Sequence, residues 1–155
     1  MLQIVHASVS SPDPALPEIA IRADRLVLAK RIWRGTAEDG HEFGFELETR
    51  LIDGDAVYQS ASARYVVRQI PEAVVEISLT IAPSAAAGIG WAVGNLHLEL
   101  QAEPARLLAL DEPAVRQLLQ RLKVPFTSTS AVFRPGRFAR GDKVSNHELG
   151  PSHQH

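Results

Sequence analysis

The sequence predicts an α+β chain, with an all-β first half, a βαββαβ second half and a flexible C-terminal tail. Three observations predict it. Short runs of alternating apolar and polar residues, separated by Asp-Gly turns, fill the first 70 residues. Beyond Pro71-Glu72 such runs alternate with two stretches of helical character. From Arg134 onward, RPGRFARGDKVSNHELGPSHQH is rich in Gly, Ser, Asn and Pro and carries no apolar period. The boundaries that follow are 1–71, 72–138 and 139–155. At 155 residues and 45 % apolar composition the chain can bury a core.

In the first half, Ile19-Ala-Ile-Arg-Ala and the longer Arg25 to Arg34 run read as strands. Asp39-Gly40 is a hairpin signal, and Glu42-Phe-Gly-Phe-Glu-Leu alternates at period 2 behind it. Asp53-Gly54-Asp55 is a second turn, and Ala56-Val-Tyr and Tyr65-Val-Val-Arg-Gln-Ile are two further strands. Together they point to a small sandwich or barrel-like unit.

In the second half, Ala73 to Ile81 reads as a strand that stops before Pro83. Ser84 is a candidate N-cap for a helix to Val93, faced by small residues with Ile89, Trp91 and Val93, and Gly94-Asn95 suits its end. Leu96-His-Leu-Glu-Leu-Gln and Arg106-Leu-Leu-Ala-Leu alternate as strands. Asp111 or a neighbour caps a helix with Pro113 in its first turn and Val115, Leu118, Leu119 and Leu122 at helical spacing. Val124 to Phe133 is the last strand. This order is the ferredoxin-like arrangement, two helices packed on one face of an antiparallel sheet.

Composition excludes several chemistries. The chain has no cysteine, which removes disulfides, thiolate metal sites and cysteine nucleophiles. Its net charge of −2 gives no sign of a nucleic-acid-binding face. The N-terminus lacks the basic segment of a signal peptide, and no stretch reaches the roughly 18 apolar residues of a membrane span; a soluble, cytoplasmic protein is expected. There is no Gly-x-Ser-x-Gly, no phosphate-cradling Gly-rich loop and no His-Glu-x-x-His, and Gly88-Ile-Gly90 does not fit the dinucleotide fingerprint. An enzyme is not expected.

The six histidines are His6, His41, His97, His147, His153 and His155. Without thiolates, a metal would sit on imidazole or carboxylate ligands, and imidazole suits nickel, copper and zinc. The His153-x-His155 pair could chelate such an ion, or be an incidental terminus. On the strand reading, His97 lies on the face opposite Leu96 and Leu98. It is either a structural histidine or a ligand that becomes a site when a two-fold axis brings two copies together. In the first half, Arg22, Arg25, Lys30, Arg31, Arg34, Arg50, Arg64 and Arg68 gather basic charge near Trp33, as a solvated surface or as a docking face for an acidic partner.

Gly94-Asn95-Leu96-His97 behind a helix resembles the Gly-Asn-x-His signature of the UreE family of urease accessory proteins, which are nickel metallochaperones. The resemblance spans roughly residues 15–138. Arg34 to Leu47, the Leu51-Ile-Asp-Gly-Asp turn, Pro71-Glu72 before Val75-Glu76-Ile77, and Asp111 to Leu122 follow the family's order and spacing. It implies an N-terminal partner- or peptide-binding domain and a ferredoxin-like domain for metal binding and dimerisation. It implies His97 as a Ni²⁺ ligand at the centre of a homodimer, with His147, His153 and His155 as added ligands from the tail. Zn²⁺ or Cu²⁺ could substitute, and the metal would pass to a urease assembly complex that includes an accessory GTPase. The sequence departs from the family in three places. The tail is sparse in histidine, Phe133-Arg-Pro-Gly lacks the Glu of a Pro-Glu-x-Gly stretch, and no second histidine pair stands between Leu98 and Phe138. Capacity near one ion per dimer, plus weak tail sites, is expected. A non-metal interaction scaffold and a general zinc or copper buffer remain the alternatives.

Overall fold

The computed structural model describes residues 1–140 and 143–148. It is a mixed α+β chain of mostly strands, and it divides into two compact units, Met1–Ile70 and Pro71–His155.

The first unit holds two three-stranded sheets. One has the order β1 (Leu2–Val5), β4 (Glu42–Glu46), β3 (Ile32–Thr36); the other has β2 (Glu18–Ala23), β6 (Arg64–Gln69), β5 (Ala56–Gln59). Both mix parallel and antiparallel pairing: β1 runs parallel to β4, and β2 parallel to β6. Their buried residues form one core, in which Val5, Trp33, Phe43 and Phe45 meet Ile21, Val57, Tyr65 and Val67. Trp33 stacks on Phe45 with centroids 4.0 Å apart. The turns come where the Asp-Gly pairs stand, with φ of +91° at Gly40 and +93° at Gly54, a region open to glycine.

One strand expectation is corrected here, and one strand is added. The Arg25 to Arg34 run is not one strand. Asp24 accepts the Val27 N–H at 2.8 Å and caps a short helix, α1 (Arg25–Leu28), before β3 begins at Ile32. The N-terminal strand β1 was not anticipated, because its partner β4 lies 40 residues away in sequence.

The second unit is built on the order β7 (Glu72–Ser78), α2 (Pro83–Asn95), β8 (Gln101–Ala102), β9 (Arg106–Leu110), α3 (Pro113–Arg121), β10 (Thr127–Ala131). Its four-stranded sheet has the spatial order β10-β7-β9-β8, and every pair is antiparallel. Alternation along the central strands divides the core. Val75, Ile77, Leu107 and Ala109 pack with Ile89, Ala92 and Val93 of α2 and Val115, Leu118 and Leu119 of α3. Val74 and Leu108 form a separate cluster with Phe133.

Several details differ from expectation. Helix α2 starts at Pro83 behind Ala82, not at a Ser84 cap, because proline fits the first helical position. Trp91 does not share the buried face: Ile89 and Val93 are four residues apart and point inward, while Trp91, midway between them, is 72 % exposed. The cap of α3 is Glu112, the neighbour of Asp111, within the expectation. The strand expected over Leu96 to Gln101 is absent except for Gln101–Ala102, for a reason given below.

The tail expectation also changes. The chain after β10 is anchored: the Arg134 N–H reaches Gln101 Oε1 at 2.7 Å, and the Gly136 N–H reaches the Leu100 carbonyl at 2.8 Å. Strands β11 (Arg137–Arg140) and β12 (Lys143–Glu148) then pair antiparallel, with Arg137 opposite Glu148 and Phe138 opposite His147. The rest of the tail, His153 and His155 included, lies outside the described residues. Among the described residues no helix is long and apolar enough to cross a membrane.

Candidate metal centre

The site grows out of the end of α2. The helix stops at Asn95 and turns back on itself: the His97 N–H reaches the Gly94 carbonyl at 3.0 Å, and the Leu98 N–H reaches the Val93 carbonyl at 3.2 Å. These are the paired bonds of a Schellman motif, with Leu96 as C-cap, His97 as the first residue beyond it and Leu98 packing back against the core that holds Val93. The motif requires a left-handed residue just past the cap. Glycine is the usual occupant; here it is His97, at φ +57°.

This turn explains the missing strand. Residues 96 and 97 are spent in reversing the chain, so His97 does not sit on a sheet face opposite Leu96 and Leu98. It stands exposed on the tip of the turn. Its side chain makes no hydrogen bond or ion pair with another described residue. Placing a non-glycine residue in the left-handed region costs roughly 1–2 kcal/mol, which makes His97 a position where strain is retained without a local structural return.

The outward face of α2 leads to that tip. Ser84, Ala87 or Gly88, Trp91, and Gly94 or Asn95 recur three or four residues apart and are exposed. Leu96, 46 % exposed, lies beside His97 in sequence. A Cβ added to Gly88 or Gly94 would meet nothing within 4 Å, so packing within the chain requires neither glycine. Each costs the helix about 0.5–1 kcal/mol relative to alanine.

The described residues of one chain do not complete a site around His97. Among the described residues no group of three His, Cys, Asp or Glu side chains converges to hold a metal ion. His147 is placed by its backbone in β12, and the expected ligands His153 and His155 are not among the described residues.

The other two histidines belong to the first unit. His6 Nδ1 lies 3.1 Å from the Glu46 carbonyl. His41 lies in a cluster that the sequence did not reveal. Its Nδ1 is 2.9 Å from Asp39 Oδ2 and 3.1 Å from Tyr65 Oη, and Tyr65 donates its hydroxyl to Asp39 Oδ2 at 2.7 Å. That bond to a carboxylate pushes the Tyr65 phenol up to about 12 and, with the His41 N–H and ring, holds the Asp39 carboxyl below its ordinary range. The Asp-Gly-His turn announced two of the three residues; Tyr65 comes from β6 and could be placed only by the fold.

The basic residues of the first unit divide. Arg68 grips Glu18 through two bonds at 2.6 and 2.7 Å, Arg64 lies 3.6 Å from the same carboxylate, and Arg22 pairs with Glu38 at 3.0 Å. Lys30, Arg31, Arg34 and Arg50 are exposed and form no ion pair among the described residues.

A family model described as "UreE urease accessory protein, C-terminal domain" matches residues 72–155. The urease accessory protein UreE of Bacillus sp. (strain TB-90) is 31 % identical over 147 residues, covering 87 % of this chain and 95 % of its own length. That of Geobacillus kaustophilus is 30 % identical over 121 residues, covering 77 % and 80 %. The chain belongs to the UreE family of urease accessory proteins. The UreE of Deinococcus radiodurans, 31 % identical over 134 residues, spans 84 % of this chain and 82 % of itself. This UreE-family chain is therefore an accessory protein of urease maturation and not an enzyme.

Proposed function

We propose that this UreE-family chain is a cytoplasmic Ni²⁺ carrier for urease assembly, with His97 as its central ligand. The single observation that carries the reading is the exposed imidazole of His97, held in a left-handed position that glycine would fill at lower cost. The metal is cargo, and the site is completed by a second copy. The exposed Trp91 and Leu96, with the open glycines Gly88 and Gly94, support a homodimer along α2 that brings two His97 rings together. His147, His153 and His155 add ligands, and Zn²⁺ or Cu²⁺ can substitute, Cu²⁺ at least as tightly as Ni²⁺. The sheet order β10-β7-β9-β8 supports a ferredoxin-like domain over 72–138 that binds metal and dimerises. In the 1–71 domain the exposed Lys30, Arg31, Arg34 and Arg50 support docking to an acidic face of the urease assembly complex, with its accessory GTPase as receiver.

Few, neutral, exposed ligands suit a carrier, because ligand exchange can begin from the solvent side without unfolding the site. Ligation needs the unprotonated ring, so Ni²⁺ affinity falls as pH drops through the imidazole range near about 6.5. Calorimetry at pH 7.5 and 5.5 checks this; a flat profile removes histidine ligation. The deciding experiment titrates Ni²⁺ into the native chain, His97→Ala and a chain ending at Gly150, with mass from light scattering. About one ion per two native chains, lost in His97→Ala, sustains the reading. Loss only on truncation transfers the site to the tail and favours a metal buffer. No binding in any of the three leaves an interaction scaffold.

A further inference from the structure

We propose that Asp39, His41 and Tyr65 form a second metal site, in the N-terminal unit, for a borderline divalent cation such as Cu²⁺. Asp39 Oδ2, His41 Nδ1 and Tyr65 Oη form a triangle with sides of 2.9, 2.7 and 3.1 Å. An ion about 2.1 Å from each donor would see them at mutual angles of roughly 80–95°, one face of an octahedron. The third donor is a phenol, beside one imidazole and one carboxylate.

The donors are held in place by groups that do not ligate. Gly40 turns the chain at φ +91° between Asp39 and His41. The His41 N–H binds Asp39 Oδ1 at 3.1 Å, which fixes the carboxylate and aims Oδ2 at the ring. The His41 carbonyl accepts from the Ala37 N–H at 2.8 Å and closes the turn. Tyr65 is 4 % exposed, with its ring 5.2 Å from Phe43 and 5.8 Å from Tyr58. The outer side is open, since the His41 side chain is 63 % exposed and that of Asp39 30 %, leaving room for water to fill the remaining positions.

In the metal-free protein the phenol proton lies between Tyr65 Oη and Asp39 Oδ2. The cation takes its place: the O–H bond of Tyr65 breaks, the Tyr65–metal bond forms, and one proton leaves to solvent. The proton that His41 Nδ1 donates to Asp39 Oδ2 moves to Nε2, and His41 binds through the freed Nδ1 lone pair. Copper is the informative probe, because it heads the divalent affinity order and a copper-bound phenolate absorbs in the visible through ligand-to-metal charge transfer.

The test is a Cu²⁺ titration of the full-length protein followed by visible absorption, in the native chain and in His97→Ala, Tyr65→Phe and His41→Ala, with circular dichroism to confirm folding. A charge-transfer band saturating at one ion per chain is expected in native and His97→Ala proteins. Tyr65→Phe should abolish it, and His41→Ala should weaken copper at that band at least about tenfold. Tail histidines can take up copper but supply no phenolate, and Tyr58, the other of the two tyrosines, is controlled by Tyr65→Phe. No band in folded His97→Ala protein overturns the proposal, as does a band unchanged in His41→Ala. If Tyr65→Phe fails to fold, the exposed His41→Ala decides alone. Nickel binding lost in His97→Ala while the band persists shows that this site and the carrier site stand or fall separately.

Discussion

Two turns in this chain each set a histidine at or beside a left-handed backbone position, and they use it in opposite ways. At 39–41 a glycine takes the positive φ, and the neighbouring His41 is tied to a carboxylate and a phenol. At 94–97 the histidine itself takes the positive φ, and its ring is bound to no other described residue. The first turn stabilises its own fold with its histidine; the second carries backbone strain and leaves its histidine free. A fixed histidine suits a permanent site, whereas a free one suits exchangeable cargo.

The sharpest way to break the comparison is at His97. If the free ring is the principal Ni²⁺ ligand, His97→Ala should lower affinity at least about a hundredfold, because even groups one step behind a metal ligand typically cost 10–100-fold. Retained affinity by calorimetry would make the two turns equivalent and the free ring incidental. Next in size is Gly40→Ala. Its added Cβ meets nothing within 4 Å, so the whole cost is backbone strain at φ +91°, about 1–2 kcal/mol in urea unfolding. A neutral outcome would mean that the turn relaxes easily and does not hold His41 firmly.

His97→Gly is the mirror experiment. Glycine releases the left-handed strain and gives back some of it as chain entropy, so the folded state should gain about 0.5–1 kcal/mol while Ni²⁺ binding is lost. A more stable protein without its metal would separate the stability of the turn from its use. A destabilised His97→Gly protein would show instead that the ring contributes to folding.

The same contrast explains what could be read from the residues alone. The Asp-Gly turns, the α3 stripe of Val115, Leu118 and Leu119, and the order of elements from β7 to β10 are local patterns, and each was visible in the sequence. The conformation of His97 was not. Leu96-His-Leu-Glu-Leu alternates as well as any strand, and the Gly94-Asn95 pair looked like the helix stop itself. The paired carbonyl bonds moved the reversal two residues on and put a β-favouring pattern to use as a helix cap. The α1 helix was hidden likewise, in a run whose only signal was the single capping Asp24. Pairing between distant segments was illegible for a different reason: β1 with β4, and Tyr65 with Asp39, depend on contacts that no periodicity encodes. His97 was identified as a candidate ligand from the Gly-Asn-x-His resemblance, but the physical reason it is available came only with its φ.

The smallest effect tests the tied side of the comparison through pH. The Asp39 carboxyl is held below its ordinary value of 3.8, first by the Tyr65 hydroxyl, and the same bond holds the Tyr65 phenol up to about 12. For an acid whose folded pKa is raised, the contribution is complete below the unfolded value, about 10 for a tyrosine, and disappears as pH rises through the folded one. For a carboxyl whose folded pKa is lowered, the contribution is present above 3.8 and is lost as pH falls through the folded value. In the metal-free protein the brace should therefore hold from above pH 4 to near 10 and weaken on both flanks. Phenolate absorbance should show a late step near pH 12 that Tyr65→Phe removes, and the mutant's deficit in urea midpoint should be constant across the neutral range and shrink toward pH 12. A native titration without the late step would mean that the hydroxyl does not face Asp39 in solution, and that His41 is as free as His97.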